Sequence, residues 1–131
     1  NSSIPFTGLV IGRSDLSDSL ERNDVNSEEI YYITHSILEQ AINIGLDVTV
    51  GGRITTKSQN FIALLAPFGL NSFESRKCTF KADSNMSNEC FAELINFGLC
   101  FELEWLKFKK TLYEMRSKQD DSRIKSILSR F

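Results

Sequence analysis

The sequence has little of what would assign a function directly. Its net charge is only −2, from 15 basic and 17 acidic residues, and it has no basic patch with interleaved aromatic residues. Nucleic-acid-binding domains usually carry such a patch. No apolar run approaches the ~20 residues that a membrane-spanning helix needs. We therefore expect neither a nucleic-acid partner nor a membrane partner.

Cysteine is also scarce. Cys78, Cys90 and Cys100 lie twelve and ten residues apart, so there is no CxxC pair for a zinc cage or a redox motif. An odd number of cysteines argues against a closed disulfide framework. We expect three reduced thiols in a cytoplasmic protein.

Short apolar runs predict three β-strands, near residues 8–12, 46–50 and 73–80. The first, LVIG, ends in a glycine, and the second, LDVTV, is closed by Gly51 and Gly52. The third, FESRKCTF, alternates, which puts Phe73 and Phe80 on opposite faces. The alternation also puts Glu74 and Arg76 together on one face, as a structural salt bridge or as substrate contacts.

The helical spacing of apolar residues predicts helices in the segments between and after these strands. The first helix begins at Asn26 or Ser27 and is stopped by Gly45. A second, shorter helix is predicted after a cap at Thr55, Thr56 or Ser58, and Pro67 and Gly69 end it. A long helix is predicted over residues 87–115, with a separate amphipathic helix over 120–131, whereas the polar segment 13–24 is predicted to be a loop.

Strands that alternate with helices predict an α/β fold with a parallel sheet. We expect residues 1–131 to form a single partial domain. The chain has no initiator methionine and reaches a strand within about ten residues, so we expect a piece of a longer chain. A (β/α)₈ barrel takes ~250 residues. The open alternatives are a small three-layer domain and part of a barrel whose other strands come from a missing N-terminal portion.

The end of the first strand carries the most informative motif. Gly12, Arg13, Ser14 and Asp15 follow the apolar run directly, at the carboxyl end of a strand, where α/β sites form. A glycine there lets backbone amides approach an anion, and a carboxylate just after it can hold Mg²⁺. Together they suit an anionic, chelating substrate such as a 2-oxo acid.

A second junction repeats part of this pattern. Gly51 and Gly52 close the second strand, and an arginine follows them, as an arginine follows Gly12. The amides of the two glycines are candidates for an anion contact.

The stretch LVIGRSDLSDSL resembles the strand-end motif of the citrate lyase β-subunit / class II 2-oxo-acid aldolase family. That family belongs to the phosphoenolpyruvate/pyruvate barrel superfamily. Its motif has the form apolar-apolar-Ile-Gly-x-x-Asp-Leu-Ser, at the end of the sixth barrel strand. The match is close from Val10 to Ser17, and the overall resemblance runs over residues 8–66 and more loosely to the C-terminus. It implies the C-terminal βα units of a (β/α)₈ barrel, about three of the eight.

The resemblance also implies roles for individual residues. Asp15 would be one of two acidic ligands to Mg²⁺ or Mn²⁺, and the backbone amides of Ser14 and Asp15 would bind the substrate carboxylate beside Gly12. The second acidic ligand and the arginine that stabilises the enolate would lie upstream of Asn1. Arg13 stands where many members carry proline, and would add an anion contact.

The implied activity is that of a metal-dependent carbon–carbon lyase or aldolase acting on a pyruvate-like 2-oxo acid or an acyl-CoA thioester. We expect the isolated piece to be inactive. The alternative is a non-catalytic α/β domain with an anion-binding, regulatory or assembly role. The aromatic residues of the long helix are typical of a core or of a subunit interface, and we expect a homo-oligomer.

Overall fold

The computed structural model describes residues 6–131, so the first five residues of the predicted domain lie outside it. Helices and strands follow each other through this range, which confirms the predicted α/β class. The helices are Arg13–Ser19 (α1), Glu28–Asn43 (α2), Gln59–Leu65 (α3) and Asn88–Leu128 (α4). The strands are Gly8–Gly12 (β1), Asp47–Gly51 (β2), Ser72–Glu74 (β3) and Thr79–Lys81 (β4). The chain forms two compact units, one ending at Leu99 and one spanning Cys100–Phe131.

The four strands form one sheet in the order β1-β2-β3-β4. The first three strands are parallel to each other, and β4 is antiparallel to β3. Gly12 is paired with Gly51, and Val50 with Phe73, so the same register brings Glu74 beside Gly51. Because parallel strands run in one direction, the carboxyl ends of β1, β2 and β3 lie at the same edge of the sheet.

The segment 73–80 was predicted as a single strand, and that prediction is wrong. The chain reverses here: the backbone N–H of Ser75 donates to the carbonyl of Cys78 at 2.9 Å, and the N–H of Cys78 donates to Ser75 Oγ at 3.2 Å. Phe73 and Phe80 are therefore cross-strand partners on the same face. Arg76 is exposed in the turn between the strands rather than inside a strand.

Two helix predictions also need correction. The segment 13–24 was predicted as a loop, but its first part is helix α1, in which buried Ser17 donates a hydrogen bond to the carbonyl of Arg22 at 2.8 Å. The predicted helices over 87–115 and 120–131 are one continuous helix, α4. The sequence between them, RSKQ, contains no glycine or proline, so nothing in it ends a helix.

The hydrophobic core lies on one face of the sheet. Ile11, Val50 and Phe73 occupy the same register row and are buried. They pack with apolar residues of α2, of α3 and of the first turns of α4, which form one cluster with them: Ile30, Leu38, Ala41, Phe61, Ile62, Leu65, Phe91 and Ile95. One side of α2, with Ile30, Leu38 and Ala41, therefore packs on the sheet, whereas Ile44, which the three- and four-residue spacing would place on the same stripe, is 76% exposed.

The other face of the sheet is uncovered in the described residues. Its residues alternate with those of the core and include Gly8, Val10, Thr49 and Ser72. Val10 is 58% exposed although it lies in the middle of β1. The hydroxyls of Thr49 and Ser72 are hydrogen-bonded to each other across this face. Parallel sheets are normally covered on both faces. We call this uncovered surface the open face.

Among the helices of residues 6–131, none combines the length and the apolar character needed to span a bilayer.

Phe73 offers a test of where the core lies. Its side chain is fully buried, with its ring centroid 5.3 Å from that of Phe80 and 5.9 Å from that of Phe91. We expect Phe73→Ala to lower the free energy of unfolding by about 3–5 kcal/mol, because it leaves a cavity in the core. Phe97→Ala is the matched control, since Phe97 is 61% exposed, and urea denaturation measures both. Equal losses for the two variants would contradict this assignment of the core.

Candidate functional site

Two carboxylates approach the carboxyl edge of the parallel strands. Oδ2 of Asp15 lies 3.4 Å from the position that a Cβ at Gly12 would occupy, and Oε1 of Glu74 lies 3.2 Å from the corresponding position at Gly51. Gly12 and Gly51 are register partners on strands ~4.8 Å apart, and paired residues face the same side of a sheet. Both carboxylates therefore lie at neighbouring points on the open face.

Asp15 reaches this position because α1 begins immediately after β1. Gly12 is the last residue of the strand and the N-cap of the helix, and Asp15 is in the first turn. Its carboxylate is turned back toward Gly12, where the positive end of the helix dipole favours a negative charge. Asp15 is exposed, so its oxygens remain accessible to a cation.

Glu74 reaches the edge because Gly51 has no side chain. The Cγ atom of Glu74 lies 3.0 Å from the Cβ position at Gly51, a distance at which a real methyl group would require Glu74 to move. The sequence indicated Glu74 as a candidate contact. Its approach to Gly51 depends on strand register, which the spacing of residues along the chain did not show.

The second glycine, Gly52, brings β2 against the start of α1. Its φ is +89°, a conformation that side chains with a Cβ rarely adopt. A Cβ there would lie 2.5 Å from the backbone nitrogen of Ser14 and 2.7 Å from that of Arg13. The predicted site residues of the two strand ends are thus brought together: Gly12, Ser14, Asp15, Gly51 and Gly52.

Arg13 is fully buried, and each N–H of its guanidinium has an acceptor within the protein. Nε donates to the carbonyl of Gly51 at 3.2 Å. Nη1 donates to the carbonyl of Val25 at 3.3 Å and to Oδ1 of Asn26 at 2.6 Å. Nη2 donates to the carbonyl of Gly52 at 2.8 Å and to Oγ of Ser58 at 3.2 Å. An arginine side chain has five N–H donors, so all of them are used.

The surroundings of Arg13 also affect its charge. The guanidinium carbon lies 4.6 Å from the ring centroid of Phe61, in a cation–π contact. Burial lowers the pKa of Arg13 to about 10, and the negative charge of Asp24 opposes this shift. Arg13 is therefore still a cation at neutral pH.

These contacts are not compatible with the predicted role of Arg13 as a substrate contact. No N–H of its side chain is left for an anion, and the side chain is inaccessible to solvent. Its acceptors are mostly main-chain carbonyls far along the chain, so no spacing in the sequence revealed them. Arg13 is instead a positioning residue that holds Gly51 and Gly52.

The second glycine–arginine junction differs from the first. Arg53 has a φ of +48° and an exposed side chain, with Nη2 lying 3.8 Å from Oδ1 of Asp18 on α1. Both partners are more than half exposed, so this ion pair contributes little to stability. The two junctions look alike in sequence, yet one arginine is buried and the other is at the surface.

No protein-family model, curated protein or solved structure matches this chain. The resemblance to the lyase and aldolase family therefore rests on the motif around β1 and on the looser pattern that follows it.

The donor set of the candidate site is small. Within residues 6–131 there is no group of three or more histidine, cysteine, aspartate or glutamate side chains arranged to hold a metal ion. Asp15 and Glu74 each place a carboxylate at the edge of the open face. A cation bound there would take its other ligands from water or from a chelating substrate.

The buried network predicts a large effect of substitution at Arg13. We expect Arg13→Ala to lower the free energy of unfolding by about 3–5 kcal/mol, because buried acceptors lose their donor. Arg13→Lys should lose much of the same stability, since an ammonium group cannot reproduce the planar set of five donors.

Arg22→Ala is the control, measured in the same urea titration. Arg22 is exposed and pairs with Glu29 at 2.6 Å, and we expect only a small change because solvent screens this pair. If the Arg13 variants were as stable as the Arg22 variant, the buried network would not have the structural role described here.

Proposed function

We propose that this chain contains the C-terminal βα units of a divalent-metal-dependent carbon–carbon lyase or aldolase. The substrate class is a pyruvate-like 2-oxo acid or an acyl-CoA thioester. One observation carries the proposal: the carboxylates of Asp15 and Glu74 lie at neighbouring points of the carboxyl edge, on the open face of the sheet. Sites of α/β enzymes form at this edge.

The two carboxylates suit Mg²⁺ or Mn²⁺. Mg²⁺ is typically bound through one or two carboxylates, with water and substrate oxygens completing its coordination. Asp15 is exposed and Glu74 is partly exposed, so both can contribute an oxygen ligand. When bound, the cation would act as a Lewis acid that polarises the carbonyl group of a 2-oxo acid.

The remaining residues of the edge bind and orient the substrate in this proposal. The amides at the start of α1, at Ser14 and Asp15, accommodate the substrate carboxylate. The absence of side chains at Gly12 and Gly51 leaves room for the carboxylates of Asp15 and Glu74 to lie over the main chain at this edge. Arg13 acts indirectly, since it holds the carbonyls of Gly51 and Gly52.

The barrel itself is part of the proposal. Sequential parallel strands in the order β1-β2-β3 have the arrangement of an arc of a (β/α)₈ barrel. In that arrangement the open face becomes the barrel interior, and the missing N-terminal portion supplies a strand for the free edge of β1. The antiparallel strand β4 departs from this pattern, because it occupies the edge of β3 where a barrel needs a parallel strand.

A cytoplasmic location belongs to the same proposal. Cys78, Cys90 and Cys100 are free thiols in the structure, as is usual in a reducing compartment.

The antiparallel pair formed by β3 and β4 favours one alternative function. If β4 is a permanent edge strand, the chain is a small α/β domain with a non-catalytic anion-binding, regulatory or assembly role. The same residues would then form an anion site at most, and divalent cations would not bind at Asp15 and Glu74.

Metal binding separates the two functions. We expect isothermal titration calorimetry with Mn²⁺ to detect binding to the chain, and oxalate, a chelating dianion, to strengthen it. Asp15→Asn and Glu74→Gln should each weaken Mn²⁺ binding by at least about tenfold, because each removes a charged oxygen ligand. Asp18→Asn, which changes an exposed acid of the same helix, should leave binding unchanged.

Absence of Mn²⁺ binding, or equal weakening by the Asp18 variant, would favour the non-catalytic alternative. We expect no lyase turnover from this chain alone, because the family's enolate-stabilising arginine is expected upstream. Turnover by the isolated chain would contradict the proposal that it is only part of the enzyme.

A further inference from the structure

The unit Cys100–Phe131 is helical over nearly its whole length and exposes many large apolar side chains. Leu103 is 52% exposed and Ile124 is 55% exposed. Helices in water obtain most of their stability from packing of an apolar face rather than from intrinsic propensity. An apolar surface of this length indicates an interaction site.

Eight positions of this helix are spaced alternately three and four residues apart, and we call them the seam. The seam consists of Leu103, Leu106, Lys110, Tyr113, Ser117, Asp120, Ile124 and Ile127. This is the spacing of the a and d positions of a coiled coil, which lie on one side of the helix. It extends over ~36 Å of helix at 1.5 Å per residue.

The residues of the seam are complementary to those of a second, antiparallel copy of the same helix. When two copies lie antiparallel with residue 115 of each at the centre, Leu103 faces Ile127 of the other copy, and Leu106 faces Ile124. Aliphatic residues thus meet aliphatic residues at both ends of the paired helices.

The charged positions of the seam match in the same way. Lys110 faces Asp120 of the other copy, so the one cation and the one anion of the seam meet each other. A polar pair at the core positions of a coiled coil selects register and orientation. In a parallel arrangement Lys110 would instead face Lys110 and Asp120 would face Asp120, which is repulsive.

We propose that this helix is a self-association surface, on which a second copy of the chain binds antiparallel through the seam. The occupant follows from the pattern, because a chain of unrelated sequence would match both the aliphatic ends and the two charged positions only by coincidence. The proposal is independent of the metal site, which lies in the other unit of the chain.

A second apolar line on the helix is shorter than the seam, so it cannot form an interface of the same length. Phe101, Trp105, Phe108, Leu112 and Met115 have similar spacing, but the next position is Gln119. This line ends near the middle of the unit, whereas the seam continues to Ile127.

Charge exchange tests the arrangement. We expect the full chain to be a dimer by sedimentation equilibrium. Lys110→Asp and Asp120→Lys, made separately, should each weaken the dimer by at least about tenfold, because like charges then face each other. The double variant should restore the affinity. Lys118→Asp is the matched control, since it makes the same charge change outside the seam.

A monomeric wild-type chain would overturn the proposal. So would single exchanges that leave the affinity unchanged, which is the result expected of a parallel dimer. Loss of the dimer in Phe108→Asp with no effect of the single exchanges would assign the interface to the second apolar line instead.

Cross-linking tests the register directly. In a chain whose three native cysteines are replaced by serine, the double variant Leu106→Cys/Ile124→Cys should form an intermolecular disulfide on mild oxidation, and neither single variant should. Efficient cross-linking of the single variants would overturn the antiparallel arrangement. Circular dichroism of each variant verifies that the helix is retained.

Discussion

The packing around the strand ends depends on one buried cation. Arg13 lies at the junction of β1 and α1 and donates to the end of β2, to the residues before α2 and to the residue before α3. None of its acceptors is a carboxylate. The charge is stabilised by carbonyl, amide and hydroxyl oxygens and by the ring of Phe61, so the network needs all of these acceptors to offset the cost of burial.

The elements that sequence analysis located well are those with local causes. Strands β1 and β2 are apolar runs ended by glycine, and α2 has Ser27 as its N-cap, with Oγ accepting from the backbone nitrogen of Ile30 at 3.3 Å. Gly45, which follows this helix, has a φ of +83°, the conformation expected of a glycine that ends a helix.

The errors in the predicted secondary structure arise where contacts between distant residues determine the structure. The alternation of FESRKCTF is as regular across a turn as along a strand, so the reversal at residues 75–78 was not visible. Helix α1 is short and polar, and its burial comes from Arg13 and Ser17 rather than from an apolar stripe. Neither residue type predicts burial by itself.

The candidate site combines features that the local sequence determines with features that depend on distant contacts. The position of Asp15 at the carboxyl end of β1 was predicted, because its motif is contiguous in the sequence. The proximity of Glu74 to Gly51 comes from the register of two strands that are separated by a helix, and no local pattern encodes that register. Arg13 was correctly predicted to lie at the strand end, but its predicted role as an anion contact was wrong. The spacing of residues does not show whether a side chain turns toward solvent or into the protein.

The glycines at the strand ends have a consequence for how the site could change. Gly12 and Gly51 contribute no side chains to the open face, so the shape of the edge is determined by groups that reach over them from α1 and β3. Substitutions at Asp15 or Glu74 alter the chemistry of the edge without altering the sheet beneath it. Variation of the polar groups at this edge can therefore concentrate on these two positions, while the buried network of Arg13 keeps the backbone in place.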